Sequence, residues 1–486
     1  MLKNATLPEA SGWIRPALAI VGAITLLRVA LLAVTPLDLF VDEAQYWLWG
    51  QDLAFGYYSK PPLIGWVIRA VTELAGSDAT FWVRLPGPLL HAGTALVLGR
   101  IAVGLFGARA GVVTAAGYIT LPMVALASIF ISTDTVMFLP LALALAGYMT
   151  LLQRPGAGLA LGMGLCLGLA FLAKYAAVYY LICAGLAALI VPGARPRARD
   201  MGFVVLAFVV TISPNLIWNA VNGFTTLEHT LDNADWVRDP ATRAGLNLSG
   251  LAEFLASQFA VFGPVLFGAL LWATARLRRL SAPRQVLVVF AIPIVAFVCV
   301  QAVLSNAYAN WAAAAYLAGS VLVLPWLSRR WLWASFAVNG ALSLALPLIA
   351  ALAHLPALEA ATARYSGRAE MSRAILDTAA TQGATAIVAQ NRDILADLFY
   401  TGRDAGVPIY ALHLSGRAPH HYALNFPYTG ETDGLVLFVS RNGPPPACDG
   451  ARQVGELTPT SGAHRNRTQV FYLVPADCWG PLGAAN

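Results

Sequence analysis

Val41-Asp42-Glu43-Ala44-Gln45-Tyr46-Trp47 and, shortly after it, Gly56-Tyr57-Tyr58-Ser59-Lys60-Pro61-Pro62-Leu63 place two acids and a lysine beside a long apolar segment. That segment runs from Pro16 to Val34 and follows Lys3 and Arg15. It has the layout of a secretory signal, but no convincing small-x-small cleavage site follows it, so we predict an uncleaved first membrane span. The charged residues then lie just outside a span, and catalysis at a membrane surface is the first hypothesis to test.

The composition is that of a protein that crosses a membrane many times. Of 486 residues, 58% are hydrophobic and 12% are charged, which is about half the charged fraction of an ordinary soluble protein. Apolar runs repeatedly reach the ~20 residues that a helix needs to cross a bilayer. The net charge of +6 is compatible with nucleic acid or anionic lipid as a partner. However, the arginines cluster between apolar runs, as the positive-inside rule expects, so topology explains the charge better than nucleic-acid binding does.

The arginine clusters orient the chain. We assign to the cytoplasm the clusters at Arg154, at 195–199, at 276–284 and at Arg329-Arg330. Between the first two clusters the chain must cross twice, which predicts two short helices that meet at Lys174-Tyr175. About eleven spans result, at roughly 16–35, 83–105, 110–131, 134–152, 157–173, 176–193, 202–219, 254–274, 285–304, 310–327 and 331–352. An odd number of spans with the N-terminus inside leaves the C-terminus outside.

After His354 charged and polar residues return, which predicts a second domain. Residues 1–352 form the membrane domain in this interpretation, and residues 353–486 form a small exported α/β domain of ordinary size. Strands are expected at 384–389, 406–412, 434–440 and 469–474, with a helix over 392–402. Cys448 and Cys478 lie in this domain, and whether they form a disulfide stays open. No CxxC or His-rich signature occurs, so no metal site or other cofactor is indicated, although a divalent metal is not excluded.

The loop from Pro36 to about Thr80 is long and aromatic, which predicts helices in the membrane interface. In a helix, Asp42, Gln45, Tyr46 and Trp49 share one face. The aromatic rings suit headgroup depth, and the acids would face a polar pocket at the membrane surface. The alternative for Asp42 is a helix cap or an ordinary interfacial charge.

Lys60 has a restricted backbone because two prolines follow it. A rigidly held cation beside Tyr57 and Tyr58 suits a lipid-linked phosphate. A lysine that only anchors the chain at the interface is the alternative.

The other predicted outer loops carry further candidates. Asp134 lies in Ser132-Thr133-Asp134-Thr135, where it is either a helix cap or part of a site, and Lys174 emerges on the same outer side. The third outer loop contains Asn215, His229 and Asp232, and the fourth contains Asn310. Aromatic, amide and acidic groups of this kind suit sugar hydroxyls and ring faces, although a generic interfacial loop contains them too.

Together these motifs resemble the bacterial PMT-like family, which includes protein O-mannosyltransferases and lipid A aminoarabinose transferases. The resemblance rests on the 41–47 and 56–63 motifs, Asp134, Ala173-Lys174-Tyr175, the 214–233 segment and Asn310-Trp311. It implies a GT-C fold, that is, an all-α polytopic membrane protein of about 11 transmembrane helices with interfacial helices in the first outer loop. It also implies a sugar donor on polyprenyl phosphate and transfer to a hydroxyl with inversion.

The resemblance also implies residue roles. Asp42 is the expected base, with Glu43 and Asp134 in support, and Lys60, Lys174 and Tyr58 would hold the donor phosphate. The residues expected to contact the sugar or the acceptor are Gln45, Tyr46, Asn215, His229, Asp232 and Asn310. The exported domain adds His420, His421, Tyr422 and Asn425 as candidate glycan contacts, although histidines in an exposed loop are commonly without function.

One departure from the family concerns the sugar. Aminoarabinose transferases usually have a glutamate directly before the lysine of the Lys-Pro-Pro motif, whereas this chain has Ser59. A cationic sugar favours an acid at that position, so a neutral or acidic sugar is at least as plausible here.

Two other function classes remain open at this point. A transporter or flippase of lipid-linked sugars is the main alternative, but transporters place ionisable residues near the bilayer midplane, and here the charges collect at span ends. An assembly scaffold would leave the acids and lysines unexplained. The predicted protein is therefore a bacterial inner-membrane glycosyltransferase whose active site and C-terminal domain face the periplasm. Its expected partners are the donor, membrane lipids and a glycolipid (lipid A or another), polysaccharide or protein acceptor.

Overall fold

The computed structural model describes residues 12–233, 246–414, 416, 418–430, 432–441 and 450–479. The chain divides into two compact units. The helical unit consists of Met1–Ala33, Leu53–Ser77 and Phe81–Leu348, and the mixed unit consists of Val34–Asp52, Asp78–Thr80 and Ile349–Asn486. The sequence predicted a boundary between residues 352 and 353, and that domain assignment stays a prediction.

The chain is mostly helical. In order, its helices are α1 (Ile14–Ala33), α2 (Val41–Gln51), α3 (Leu63–Ala75), α4 (Thr80–Arg84), α5 (Pro86–Phe106), α6 (Ala108–Ile119), α7 (Pro122–Leu126), α8 (Thr133–Leu151), α9 (Ala157–Ala173), α10 (Val178–Ile190), α11 (Ala198–Val221), α12 (Thr225–Asn233), α13 (Leu248–Val261), α14 (Pro264–Ala275), α15 (Ala282–Val289), α16 (Ile292–Leu304), α17 (Ala315–Val323), α18 (Arg329–Ala351), α19 (Glu359–Thr362), α20 (Arg368–Thr381), α21 (Arg392–Thr401) and α22 (His421–Asn425).

Six apolar helices in the described part of the chain are long enough to cross a membrane, or seven if α13 and α14 count as one broken span. The protein is a multi-pass membrane protein, but the predicted count of about eleven spans is not confirmed. The predicted span at 110–131 is divided between α6 and the five-residue α7. The pair α13 and α14 is bent by 115°. Gly263, between them, has φ 92°, and Pro264 follows it, so the helix cannot continue straight.

The interior of the helical unit contains a buried arginine. Arg28 of α1 donates to the backbone oxygen of Ile119 at 2.7 Å, to Ser343 Oγ at 2.8 Å and to Ser128 Oγ at 3.2 Å. A charge inside an apolar bundle is tolerated only with such partners. Arg28 therefore ties α1 to α6, to α18 and to the segment that follows α7.

Glycines allow α9 and α11 to pack closely. A Cβ atom on Gly164 would lie 2.3 Å from the backbone oxygen of Val204, and one on Gly168 would lie 2.5 Å from Thr211. Small residues at such contacts let membrane helices approach closely. This packing fixes the end of α9, where Lys174 leaves the helix in an extended conformation. The predicted break at Lys174 is confirmed.

The mixed unit contains a five-stranded sheet in the order β2-β1-β3-β5-β4. The strands are β1 (Ala386–Ala389), β2 (Ile409–Ala411), β3 (Leu435–Ser440), β4 (Arg452–Leu457) and β5 (Gln469–Pro475). β1 pairs in parallel with β2 and β3, whereas β5 pairs antiparallel with β3 and β4. The four predicted strands and the helix at 392–402 are confirmed, and β4 was missed. Cys478 is disulfide-bonded, while Cys448 lies outside the described residues.

Candidate functional site

The candidate residues fall in both units. Asp42, Glu43, Gln45 and Tyr46 belong to the mixed unit, as do the candidate glycan contacts His420, His421, Tyr422 and Asn425, and the other candidates belong to the helical unit.

Asp134 is at the centre of an ion-pair cluster in the helical unit. Both of its carboxylate oxygens accept from Lys174 Nζ at 2.8 Å, and Oδ2 also accepts from Asn310 Nδ2 at 2.7 Å. The side chain of Asp134 is 10% exposed and that of Lys174 is 18% exposed. The N-cap of α8 is Ser132, which accepts from the backbone N–H of Thr135. The carboxylate of Asp134 is thus directed at Lys174 and Asn310.

This cluster joins residues from three separate parts of the chain. α8 presents the acid near its first turn, where the helix dipole favours a negative charge. The break after α9 presents the lysine, and a 3-10 turn at Ala309–Ala312 presents Asn310. The pair is neutral overall, so Lys174 offers an anion a hydrogen-bond donor whose charge is already partly balanced by Asp134.

A second network holds Asn215. Its Oδ1 accepts from the Tyr175 hydroxyl at 3.1 Å, and its Nδ2 donates to the backbone oxygen of Phe55 at 2.6 Å. Asn219 Nδ2 donates to the same tyrosine oxygen at 3.2 Å. Asn215 is fully buried, and both of its polar atoms have protein partners. The hydrogen bond from Asn215 to Phe55 therefore positions the loop that starts at Phe55.

That loop, residues 55–60, is also held by α12. The Thr226 hydroxyl donates to the backbone oxygen of Tyr57 at 2.6 Å, and the ring of His229 meets the ring of Tyr58 edge-on at 4.9 Å. The backbone N–H of Tyr57 donates to the oxygen of Lys60 at 3.1 Å, which closes a tight turn. The structure therefore brings predicted residues of the first and third outer loops together. Asp232 lies one turn further along α12, three residues after His229.

Gly56 is the tightest point of this loop. A Cβ atom there would lie 2.3 Å from the ring of Trp218 in α11. Gly56→Ala must displace a large aromatic ring, which we expect to cost about 1–3 kcal/mol of stability and to move Tyr58 and Lys60. Thermal unfolding and donor KM measured on the purified variant would check this. Gly162→Ala is the matched control, because a Cβ atom there has nothing within 4 Å. Equal unfolding midpoints for the two variants would contradict the expectation.

In the mixed unit, Asp42 and Gln45 lie on one face of α2 and both contact Arg392. Arg392 Nη2 donates to Asp42 Oδ1 at 2.6 Å, and Arg392 Nε donates to Gln45 Oε1 at 3.0 Å. The shared face of Asp42 and Gln45 follows from their i, i+3 spacing. The side chains of Asp42 and Arg392 are 47% and 38% exposed.

Glu43 and the aromatic residues of α2 have structural contacts. Glu43 Oε2 accepts from the backbone N–H of Phe40 at 2.9 Å, which caps the start of α2. Tyr46 packs on Trp49, and Trp49 meets the ring of His421 edge-on at 5.8 Å. These contacts fix the rotation of α2 and hence the direction of Asp42.

The two histidines at the start of α22 are buried rather than exposed in a loop. His420 Nδ1 accepts from the backbone N–H of Ala423 and caps α22, so its Nε2 is the protonated nitrogen that donates to Gln390 O at 3.3 Å. Burial lowers the pKa of His420. Burial, with the charge of Arg392 and, in acid, that of His420, lowers the pKa of His421 to about 3. Both histidines are therefore neutral near pH 7.

Acid should destabilise the mixed unit through His421. Its pKa is about 3 in the folded chain and about 6.5 when unfolded, so the unfolded state binds the extra proton between these values. Stability then falls as pH drops below about 6.5, by about 2 kcal/mol at pH 5. His421→Phe should remove this part of the pH dependence in thermal unfolding of the full chain between pH 7 and 5. Identical pH dependence in both proteins would contradict the assignment. Burial lowers the pKa of His464 to about 4. This histidine is present in the wild type and in His421→Phe, so its contribution to the pH dependence is the same in both proteins.

The sequence did not identify Arg392 as part of the site. It was read only as the start of a helix, since nothing local links it to a residue 350 positions earlier. The only local signal was weak, because the helix dipole disfavours an arginine at the first position of a helix. Within the described residues, no group of three or more His, Cys, Asp or Glu side chains could hold a metal ion.

Comparison with known proteins gives matches at the level of sequence and of fold. The family model for dolichyl-phosphate-mannose-protein mannosyltransferase matches residues 59–218. The chain is 43% identical to the lipid A galacturonosyltransferase RgtD of Rhizobium johnstonii over 475 residues, which cover 96% of this chain and 99% of that protein.

Two solved structures share the fold. ArnT from Cupriavidus metallidurans in the apo state matches with a TM-score of 0.62 at 16% identity, over 97% of this chain and 99% of that chain. The same protein bound to undecaprenyl phosphate matches with a TM-score of 0.61 at 15% identity, over 97% and 100%.

Proposed function

Because this chain belongs to the family of the lipid A galacturonosyltransferase RgtD, a branch of the PMT-like GT-C glycosyltransferases, we propose that it transfers galacturonic acid to lipid A from a polyprenyl-phosphate donor. The main support for this proposal is the 43% identity to RgtD over 96% of the chain. Ser59 before Lys60 argues against a cationic sugar, because an acid is missing where such a sugar would favour one, and a neutral or acidic sugar fits this position.

The chain is an integral membrane glycosyltransferase, and the comparisons support that class rather than a flippase of lipid-linked sugars. We place the enzyme in the bacterial inner membrane with the reaction on the periplasmic face. The arginine clusters between the apolar segments support this orientation.

The proposed chemistry is one displacement at the anomeric carbon. Asp42 takes the proton of an acceptor hydroxyl, the oxygen attacks C1, and the bond from C1 to the phosphate oxygen breaks with its electron pair on the phosphate. Attack opposite the leaving group inverts the anomeric centre. The leaving phosphate gains negative charge, which cationic and hydroxyl donors stabilise.

The other residues have proposed roles that follow from their contacts. Lys60, Lys174 and Tyr58 hold the donor phosphate, and Asp134 holds Lys174 in place at 2.8 Å. Glu43 supports Asp42 by capping α2. Sugar and acceptor contacts come from Gln45, Tyr46, His229, Asp232 and Asn310, while the paired atoms of Asn215 support an indirect role through the 55–60 loop.

Reconstitution tests this function. The purified full chain in vesicles is supplied with polyprenyl-phosphate galacturonic acid and lipid A, and the products are analysed by mass spectrometry. The expected product is lipid A heavier by one anhydro-uronic acid unit, with free polyprenyl phosphate released in equal amount. Donor that crosses the vesicle membrane without being consumed would instead indicate a flippase. Transfer to another acceptor alone would overturn lipid A as the acceptor.

A further inference from the structure

Arg392 has hydrogen-bond donors that α2 does not use. Its Nε and Nη2 are engaged by Gln45 and Asp42, at 3.0 and 2.6 Å. Within the described part of the chain, Nη1 makes no hydrogen bond, and neither does Asp42 Oδ2. A guanidinium group has five N–H donors in a planar fork, so one edge of Arg392 remains for another acceptor.

The ion pair of Arg392 and Asp42 is partly exposed to solvent rather than buried in a core. The side chain of Arg392 is 38% exposed and that of Asp42 is 47% exposed. Ion pairs this exposed contribute little to stability, about 0–1 kcal/mol. Stability alone therefore gives a weak reason for the fixed position of Arg392, whereas recognition of an anion gives a stronger one.

Arg392 also carries a positive charge beside Asp42 and Gln45 on this face of α2. The neighbouring rings of His420 and His421 are neutral near pH 7, because burial lowers their pKa values. Desolvation works against the charge of Arg392, but the hydrogen-bonded carboxylate of Asp42, together with Tyr422 and Tyr46, raises the pKa of Arg392. A second carboxylate brought beside Asp42 would meet like-charge repulsion unless this guanidinium lay between the two.

Resting on the proposed function, we infer that Arg392 determines sugar specificity by binding the carboxylate of the donor's uronic acid. The sugar carboxylate occupies the Nη1 edge, while Nη2 stays on Asp42. Gln45 keeps the plane of the guanidinium fixed through Nε. A cationic sugar would be repelled here, and a neutral hexose would leave the edge without its acceptor.

Donor discrimination tests this role. Arg392→Gln, Arg392→Lys and the exposed control Arg373→Gln are compared in the reconstituted full chain with polyprenyl-phosphate galacturonic acid and polyprenyl-phosphate galactose. Loss of a charged hydrogen bond predicts a fall of about 10–100-fold in kcat/KM for galacturonic acid in Arg392→Gln. The galactose donor shares only the contact of Arg392 with Asp42, so its rate or its competitive inhibition should fall by clearly less than that of the galacturonic acid donor. Arg392→Lys keeps the charge but loses the planar fork, so its preference should be intermediate. Arg373→Gln should match the wild type.

The outcomes separate this inference from the proposed function. An equal loss with both donors would mean that Arg392 only positions Asp42, and would overturn the specificity role. A change confined to KM for lipid A would assign Arg392 to an anionic group of the acceptor, and would also overturn it. If the wild type uses no galacturonic acid donor, the proposed function itself fails. Should Arg392→Gln not fold, the donor preference of Arg392→Lys decides, since a preference equal to that of the wild type would overturn the inference.

Discussion

Asp42→Asn should reduce transfer by about 10³-fold or more, because general-base catalysis contributes about 10²–10⁴-fold and an amide does not take the proton. The substitution keeps the shape of the side chain. The amide oxygen can still accept from Arg392 Nη2, which lies 2.6 Å from Oδ1 in the wild type. We therefore expect a folded, membrane-inserted protein whose kcat falls while KM for the donor changes little. Initial rates in the reconstituted assay measure the effect.

The matched control is Asp404→Asn, an acid of the same unit whose side chain is 89% exposed. It should have wild-type activity. Thermal unfolding of both variants separates a catalytic loss from a folding defect. If Asp42→Asn retains full activity, Asp42 has no part in the chemistry, and its pairing with Arg392 is only structural.

The sequence predicted those features that depend on local periodicity. The i, i+3 spacing placed Asp42 and Gln45 on one helix face, where Arg392 contacts both. The polar break at Lys174 was found because two arginine clusters required two crossings. Four strands of the mixed unit were found from their apolar residues, whereas β4 was missed because Arg452 and Gly455 make it read as a loop.

Contacts between distant segments could not be predicted in this way. Nothing near Asn310 reveals that its amide donates to Asp134, 176 residues earlier. Likewise, Asn215 reads as a sugar contact until the backbone oxygen of Phe55 is seen to occupy its Nδ2. The predicted count of about eleven spans is not confirmed by the six or seven candidate spans of the described residues. Hydropathy averages over a window and does not detect a bend such as the one at Gly263, where helix direction changes within a few residues.

Separating Asp134 from Lys174 should strongly destabilise the helical unit. Lys174→Met leaves a carboxylate with 10% side-chain exposure without its cation, and Asp134→Asn leaves a lysine with 18% exposure without its anion. Removing one partner of a largely buried ion pair costs about 3–5 kcal/mol. The double variant Asp134→Asn/Lys174→Met removes both charges, and we expect it to be destabilised by clearly less than the sum of the single variants. Unfolding of the full chain in mixed micelles with increasing SDS measures all three.

The exposed pair of Arg69 and Glu73 on α3 provides the control cycle. These side chains are 35% and 62% exposed, so Arg69→Met and Glu73→Gln should each cost only about 0.3–0.5 kcal/mol. Additive effects at Asp134 and Lys174, as small as those on α3, would show that their contact contributes nothing to the fold. The expected result is that the effects of Asp134→Asn and Lys174→Met on stability are strongly coupled and that the double variant has no transfer activity. It would mean that folding tolerates the absence of both charges and that transfer does not, because the donor phosphate then lacks Lys174.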